Sequence, residues 1–253
     1  MSNTVLHDSR VLAGRQLRKT LRRPTYIVFS FIQPVIFVLL FRYVFGGAID
    51  TGATTYVNFL MPGIIVQTAV LGALVTGLGL TEDLGSGFVD RLRSLPMAHS
   101  AVLLARTAAD LVMNVFSLTV MIVVGLLAGF RPDQPAWQLG MAFLLVLGFS
   151  FVFSWISAWI GLTVRNPETA QSAGFIWVFP LTFASSAFVP TDTMPTPVRV
   201  FAEHNPVTLV IDTVRGLTTG GPDPAAPALR VLIWFTALLL IFIPLAVRAL
   251  RRA

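Results

Sequence analysis

The sequence predicts an all-α protein that crosses a lipid bilayer about six times, and three observations predict it. Of its 253 residues, 55% are hydrophobic and only 12% charged, against about 25% charged in a soluble domain. Windows near 26–46, 57–80, 101–129, 138–164, 171–189 and 229–247 each hold the roughly 20 mostly apolar residues that a helix needs to cross hydrocarbon. The cations flank these windows. With the N-terminus inside, the inner tails and loops carry twelve (Arg10, Arg15, Arg18, Lys19, Arg22, Arg23, Arg91, Arg93, Arg165, Arg248, Arg251 and Arg252), and the outer loops carry four (Arg131, Arg199, Arg215 and Arg230). That asymmetry places both termini in the cytoplasm.

Residues 1–25 are polar and basic, and the first apolar run is longer than the ~7–15-residue core of a signal peptide, so an uncleaved anchor is expected. Leu6, Ala13, Leu17 and Leu21 share one helical face and most of the cations lie off it. Two readings fit: a helix lying on the anionic inner leaflet, or a basic flank that fixes topology. In the first span Arg42 lies near the outer end, where it can snorkel to the interface.

On the second span Gly63, Gln67 and Leu71 share a face, and on the fifth Phe175, Phe179 and Phe183 do, with Thr182 and Ser186 beside them. Apolar rows with a few polar groups suit a path for a hydrophobic ligand, and helix packing uses the same residues. On the third span Arg106, Asp110 and Asn114 follow at intervals of four, which puts a structural ion pair on one face. Trp155 and Trp159 on the fourth span read as interfacial or packing residues. Pro34, Pro62, Pro180 and Pro244 fall within spans, where proline is tolerated and kinks.

Between the last two spans, 190–228 holds two short helical signals. Thr196-Pro197 opens one, with Val198 and Phe201 on a face. Asn205-Pro206 opens the other, with Val207, Val210, Ile211, Val214 and Leu217 on a face, and Gly220-Gly221-Pro222 stops it. Runs this short cannot cross, so re-entrant or interfacial helices on the outer side are expected. The chain reads as one transmembrane domain, 1–253, comprising a 1–25 amphipathic segment, an 81–100 loop and a 190–228 outer segment.

Several chemistries are excluded. The only lysine, Lys19, follows Arg18, so no Gly-Lys-Ser/Thr phosphate loop exists in this sequence. The three histidines, His7, His99 and His204, lie outside the spans, and no Gly-x-Ser-x-Gly or His-Glu-x-x-His occurs. Cysteine is absent, and no nucleic-acid-binding motif is present. No catalytic, cofactor-binding or metal-binding residue is expected on this chain.

The loop between spans two and three, TEDLGSGFVDRLRSLPMAHS, places Phe88, Leu92 and Leu95 on one helical face with Asp90, Arg91 and Arg93 elsewhere, and Pro96 ends the turn. A short amphipathic helix of this kind docks into a groove on a soluble partner. The run GFVDRLRSLPMAHSAVLLARTAADL, the six-span layout and the late segment NPVTLVIDTVRGLTTGGP together resemble the daunorubicin-resistance-like permeases of the type-two ATP-binding-cassette (ABC) exporter family. The resemblance implies a connecting helix before the first span, a coupling helix in the loop from Glu82 to Pro96, and re-entrant helices before the sixth span. It implies two copies of the permease working with two copies of a separate ATPase that holds Mg-ATP, and no catalytic residue on the permease.

The function expected is therefore the inner-membrane subunit of an exporter for a hydrophobic or amphipathic compound, whether drug, antibiotic, lipid or glycan, in contact with membrane lipids. An ion-coupled secondary transporter is the alternative. It calls for acids at the bilayer midplane, and Asp110 is the one acid in an apolar interior. A membrane protein with a purely structural role is the third reading.

Overall fold

The computed structural model describes residues 14, 17–18, 32, 35–45, 55–87, 99–164, 166–220 and 224–252, and every regular element among them is helical. We label them α1 (Val35–Val44), which ends in a π-helical turn at Phe41–Phe45, α2 (Tyr56–Gly85), α3 (His99–Leu127), α4 (Ala136–Val164), α5 (Pro167–Phe183), α6 (Thr196–His204), α7 (Pro206–Thr219) and α8 (Ala225–Arg252). Four of them, α2, α3, α4 and α8, are long and apolar enough to cross a membrane. At 1.5 Å per residue their 28–30 residues reach ~42–45 Å, more than the ~30 Å hydrocarbon core.

α2 is the central helix. The membrane-length window of α2 is 72% buried, against 11% for α8, which lies at the edge on α4 and α7. α3, α4, α5 and α7 all pack on α2. Pairings fix the directions: Thr76 meets Asp110 and Gly72 meets Asn114, so α2 and α3 run antiparallel, whereas Ala69 meets Ser150 and Gly77 meets Ser157, so α2 and α4 run parallel. The bundle thus has a loop end, with Gly85, His99, Val164 and Arg252, and a hairpin end, with Tyr56, Phe130 and Thr219.

Helices in lipid gain nothing by merely meeting apolar surface, and close backbone approach at small residues holds them together instead. Gly77 of α2 and Gly161 of α4 make the tightest such crossing, since a Cβ on either would overlap the backbone of the other helix. Larger side chains pack above and below it. Phe149, Phe153, Leu60, Met61 and Ile64 fill the hairpin half of the core, and Trp155, Leu80, Leu103 and Leu162 fill the loop half. Trp155 is 2% exposed, so of the two roles open to it the packing one holds.

The expected fifth span, 171–189, is shorter than its apolar run: α5 has 17 residues and ends at Phe183. Pro180 cannot donate a backbone hydrogen bond. Ser185 then turns its hydroxyl to the Thr182 carbonyl (2.5 Å) and accepts from the Ala187 N–H (3.2 Å), so local side-chain bonds replace the helical ladder. The α6–α7 pair follows. Asn205 caps α7 as its Asn-Pro signature predicts, its Oδ1 accepting from Val207 N–H at 2.9 Å, and Gly220 ends the helix at φ +64°. The α6 start differs by one residue from expectation: Pro195 is the cap and Thr196 the first helical residue, with no side-chain cap bond. Val207, Val210, Ile211, Val214 and Leu217 are all buried, as their common face requires, while Val198 and Phe201 of α6 stay exposed. The surface helix expected over Leu6 to Leu21 falls almost wholly outside the described residues.

The α2–α4 crossing yields a test with opposite signs at two glycines of one helix. Alanine in an open helical site is favoured over glycine by ~0.5–1 kcal/mol, so Gly140→Ala, where a Cβ meets nothing within 4 Å, is expected to raise the unfolding midpoint in detergent slightly. Gly161→Ala presses on the Gly77 backbone, and overpacking costs ~1–3 kcal/mol. That variant is expected to unfold several degrees lower in the same scan.

Candidate functional site

At the loop end, the predicted row on α3 turns toward α2. Arg106 Nε donates to Asp110 Oδ2 at 3.0 Å, and Asp110 also accepts from the Thr76 hydroxyl at 2.7 Å. The same guanidinium donates from one terminal nitrogen to Asp83 Oδ2 at 3.5 Å, and from the other to the Val75 carbonyl at 3.3 Å. Arg106 and Asp110 are 7% and 8% exposed. Buried charges of this kind persist only when paired and hydrogen-bonded, and both conditions hold. The guanidinium lies where a Cβ on Gly79 would be, so the glycine makes room for the pair. One turn on, Asn114 Nδ2 donates to Ser150 Oγ at 2.7 Å, joining α3 to α4. Serine 150 in turn donates to the Ala69 carbonyl of α2 at 3.4 Å.

The placement of this cluster matters more than its existence. Asp83 sits in the last turn of α2 and Arg106 two turns into α3, so the two roots of the intervening loop are joined by charge. Glu82, next to Asp83, is exposed at the same end. The other residues expected to couple to a partner, Phe88, Asp90, Arg91, Leu92, Arg93 and Leu95, lie outside the described residues.

The two rows proposed as a ligand path face each other in part. Leu71 of α2 and Phe175 of α5 line one cleft near the loop end, together with Leu74 and Gln171. Gly63, two turns away on the same α2 face, is covered by the Ala187 backbone just after α5. Gln67 lies between them and is 7% exposed. Phe175 lies tilted against Phe179 at a centroid spacing of 5.3 Å, and from Phe179 the rings stack through Phe183, Phe188, Phe41 and Phe37 at 5.6, 5.3, 4.7 and 5.9 Å. This file of six rings runs along the edge formed by α1 and α5, with Phe179 and Phe183 about half exposed. The path candidates therefore divide between one buried amide and an aromatic surface. Thr182, beside the row, is buried and its hydroxyl has no partner, while Ser186 donates to Asp212 at 2.7 Å.

At the hairpin end a second arginine does what charge counting did not foresee. Arg215 of α7 donates to Asp212 at 2.7 Å, to the Ser186 carbonyl at 2.8 Å and to the Phe59 carbonyl at 3.2 and 3.3 Å, and lies 3.9 Å over the Phe59 ring. It ties α7 to the start of α2 and to the break after α5. The i, i+3 spacing of Asp212 and Arg215, the two charged residues of the helix, was the available signal. Asn205 has a second role as well, since its Nδ2 donates to the Leu181 and Ala184 carbonyls at 2.7 and 3.0 Å. One side chain thus caps the start of α7 and the end of α5. Arg42, expected to snorkel, lies over the Tyr43 ring at 5.2 Å.

Comparison with known proteins bears on this arrangement. The family described as ABC-2 type transporter matches residues 8–218. The daunorubicin resistance ABC transporter permease protein DrrB1 of Streptomyces coeruleorubidus is 33% identical over 228 residues, covering 90% of this chain and 80% of the relative. The putative transport permease ycf38 of Pyropia yezoensis is 27% identical over 224 residues, 85% of this chain and 75% of the relative. The probable doxorubicin resistance ABC transporter permease protein DrrC of Mycobacterium tuberculosis is 24% identical over 246 residues, 92% and 85% respectively.

The loop-end cluster is testable by stability. Removing one partner of a buried ion pair costs ~3–5 kcal/mol, whereas replacing both by apolar residues of similar volume is often neutral. Arg106→Ala is therefore expected to cut the amount of folded protein in the membrane and to lower its detergent unfolding midpoint. The double substitution Arg106→Met, Asp110→Leu is expected to regain more than half of that loss. Equal loss in the single and double variants would show that Arg106 is held by Asp83 and Val75 rather than by Asp110.

Proposed function

Because the chain belongs to the ABC-2 type transporter family, we propose that it is the membrane-spanning subunit of an ATP-driven exporter that moves a hydrophobic or amphipathic compound out of the cell. The observation that carries this reading is the match of 90% of the chain to a drug-resistance permease. The relatives' names make daunorubicin and doxorubicin the first compounds to try. Antibiotics, lipids and glycans fit the same description.

Six spans with cytoplasmic termini in the inner membrane complete the proposal. α1 and α5 add to the four long helices, and α6 and α7 form the re-entrant pair on the outer side. The chain is one domain, and it works as a homodimer with two copies of a separate ABC ATPase that binds Mg-ATP. Force enters through the loop at 81–100, where Glu82, Phe88, Asp90, Arg91, Leu92, Arg93 and Leu95 meet the ATPase. The joined ends of α2 and α3 support this assignment, because a push on the loop acts on both helices at once. Gln67, Phe175, Phe179 and Phe183 line the route of the compound. An ion-coupled mechanism draws no support from Asp110, which Arg106 and Thr76 already hold.

Topology is tested on a chain that has no cysteine of its own. Single cysteines at Ser94 and Asn166 are expected to react with a membrane-impermeant thiol reagent only in opened cells, and cysteines at Thr51, Gln134 and Thr193 in intact ones. Labelling of position 94 from outside refutes the proposed orientation.

Coupling is tested at Leu92. Burying a leucine is worth ~1.5–3 kcal/mol, and ~1.4 kcal/mol is a factor of ten in binding. Leu92→Asp is expected to weaken ATPase co-purification at least tenfold and to abolish efflux while the permease still inserts. Arg91→Ala and Arg93→Ala are expected to have small effects, since solvated charges contribute little. Retention of both partner and efflux in Leu92→Asp removes this loop as the coupling element.

A further inference from the structure

A second cavity lies away from the row of Gln67 and the phenylalanines. It measures about 620 Å³, is open on one side, and is bordered by α4, α5, the α6–α7 turn and α8. Drug-sized ligands occupy pockets of roughly 300–1,000 Å³, so the space is of ligand size. Its floor is Phe153 and Ile156 of α4, 1% and 9% exposed, and its mouth is Trp234 of α8 and Phe201 of α6, 40% and 47% exposed. Trp159 and Trp177 form the sides.

Two features select the occupant. The lining offers almost nothing to a polar body. Besides the indoles of Trp159, Trp177 and Trp234, its polar side chains are Asn205, which is spent on Val207, Leu181 and Ala184, and His204, whose Nδ1 faces the Val200 carbonyl at 2.9 Å. A polar group entering such a space loses its hydration without return, whereas a hydrocarbon chain loses nothing. The mouth opens beside α8, the least buried of the four long helices, where the bilayer's own chains are the surrounding medium. Trp177 is among the lining residues, but its indole Nε1–H is buried behind the wall, so the ring adds apolar surface to the cavity and no donor.

We propose that this cavity binds one acyl chain of a membrane phospholipid, inserted laterally past α8 under the Asn205 turn. The acyl chain would then support the turn that joins α6 to α7, since Asn205 and Pro206 are part of the cavity wall. This inference needs only that the protein resides in a bilayer, and it is independent of the exporter reading.

The test uses the full-length protein in phosphatidylcholine–phosphatidylglycerol vesicles containing a phospholipid with a diazirine midway along one acyl chain. After illumination, mass spectrometry is expected to find adducts on Ile156, Leu181 or Leu238 at least fivefold above those on Ile233 and Leu240, which are 62% and 72% exposed on α8. In the filled variants Ile156→Trp and Leu238→Phe, cavity adducts are expected to fall at least fivefold while adducts on Ile233 and Leu240 remain. If either variant fails to insert, the wild-type distribution and the other variant decide. Adducts no denser in the cavity than on the outer face of α8 overturn the proposal. So does cavity labelling that persists when the cavity is filled, or labelling that a saturating amphipathic dye abolishes, which would assign the space to cargo. No ATPase is present in this assay, so its failure leaves the coupling experiment untouched.

Discussion

In hydrocarbon, one apolar helix has no hydrophobic reason to seek another, so this bundle depends on what α2 offers its neighbours besides apolar surface. It offers close approach and polar partners. Gly77 lets the backbone of α4 come within contact, and Gly79 leaves the space that the Arg106 guanidinium fills. Thr76 and the Val75 and Ala69 carbonyls accept or donate across to α3 and α4, and the Phe59 carbonyl receives Arg215 from α7. Each attachment also satisfies a group that lipid cannot. Stability and polar satisfaction are thus the same contacts.

The attachments are of different kinds at the two ends. At the loop end a charge cluster joins α2 to α3 on either side of the connection between them, which makes the pair of helix ends one mechanical body. At the hairpin end Arg215 and Asn205 hold the α6–α7 pair by single side chains to the carbonyls of α2, α5 and the segment after α5. The two ends are thus held differently, by a charge cluster at the loop end and by a pinned hairpin at the other. The small-residue crossing at Gly77 and Gly161 lies at the level of the loop-end cluster, beside Thr76, and brings α4 against the same stretch of α2.

The aromatic file and the apolar cavity flank α5 on separate sides. Phe175, Phe179 and Phe183 belong to an exposed edge shared with α1, while Trp177 and Leu181 turn toward α4 and α8. Residues one or two positions apart on a helix look in different directions, so one short helix serves both surfaces. Its early end at Phe183 is what makes room for the Asn205 turn and hence for the cavity beneath.

What the sequence determined by itself was whatever short-range chemistry specifies. Apolar length set four long helices, Asn205-Pro206 and Gly220 set where α7 starts and stops, and four-residue spacing set the Arg106–Asp110 pair. Family membership followed from similar local evidence, carried by two stretches and the layout. Tertiary structure decided the rest, because the deciding partners are far apart in the chain. Nothing near Arg106 announces that Asp83, 23 residues earlier, and Thr76 complete its cluster. Nothing near Arg215 points to Phe59, 156 residues away. Pro180 and Ser185 end the fifth helix locally, but its last carbonyls are satisfied by Asn205, more than twenty residues later, and the apolar period of a segment carries no record of which distant side chain will cap it.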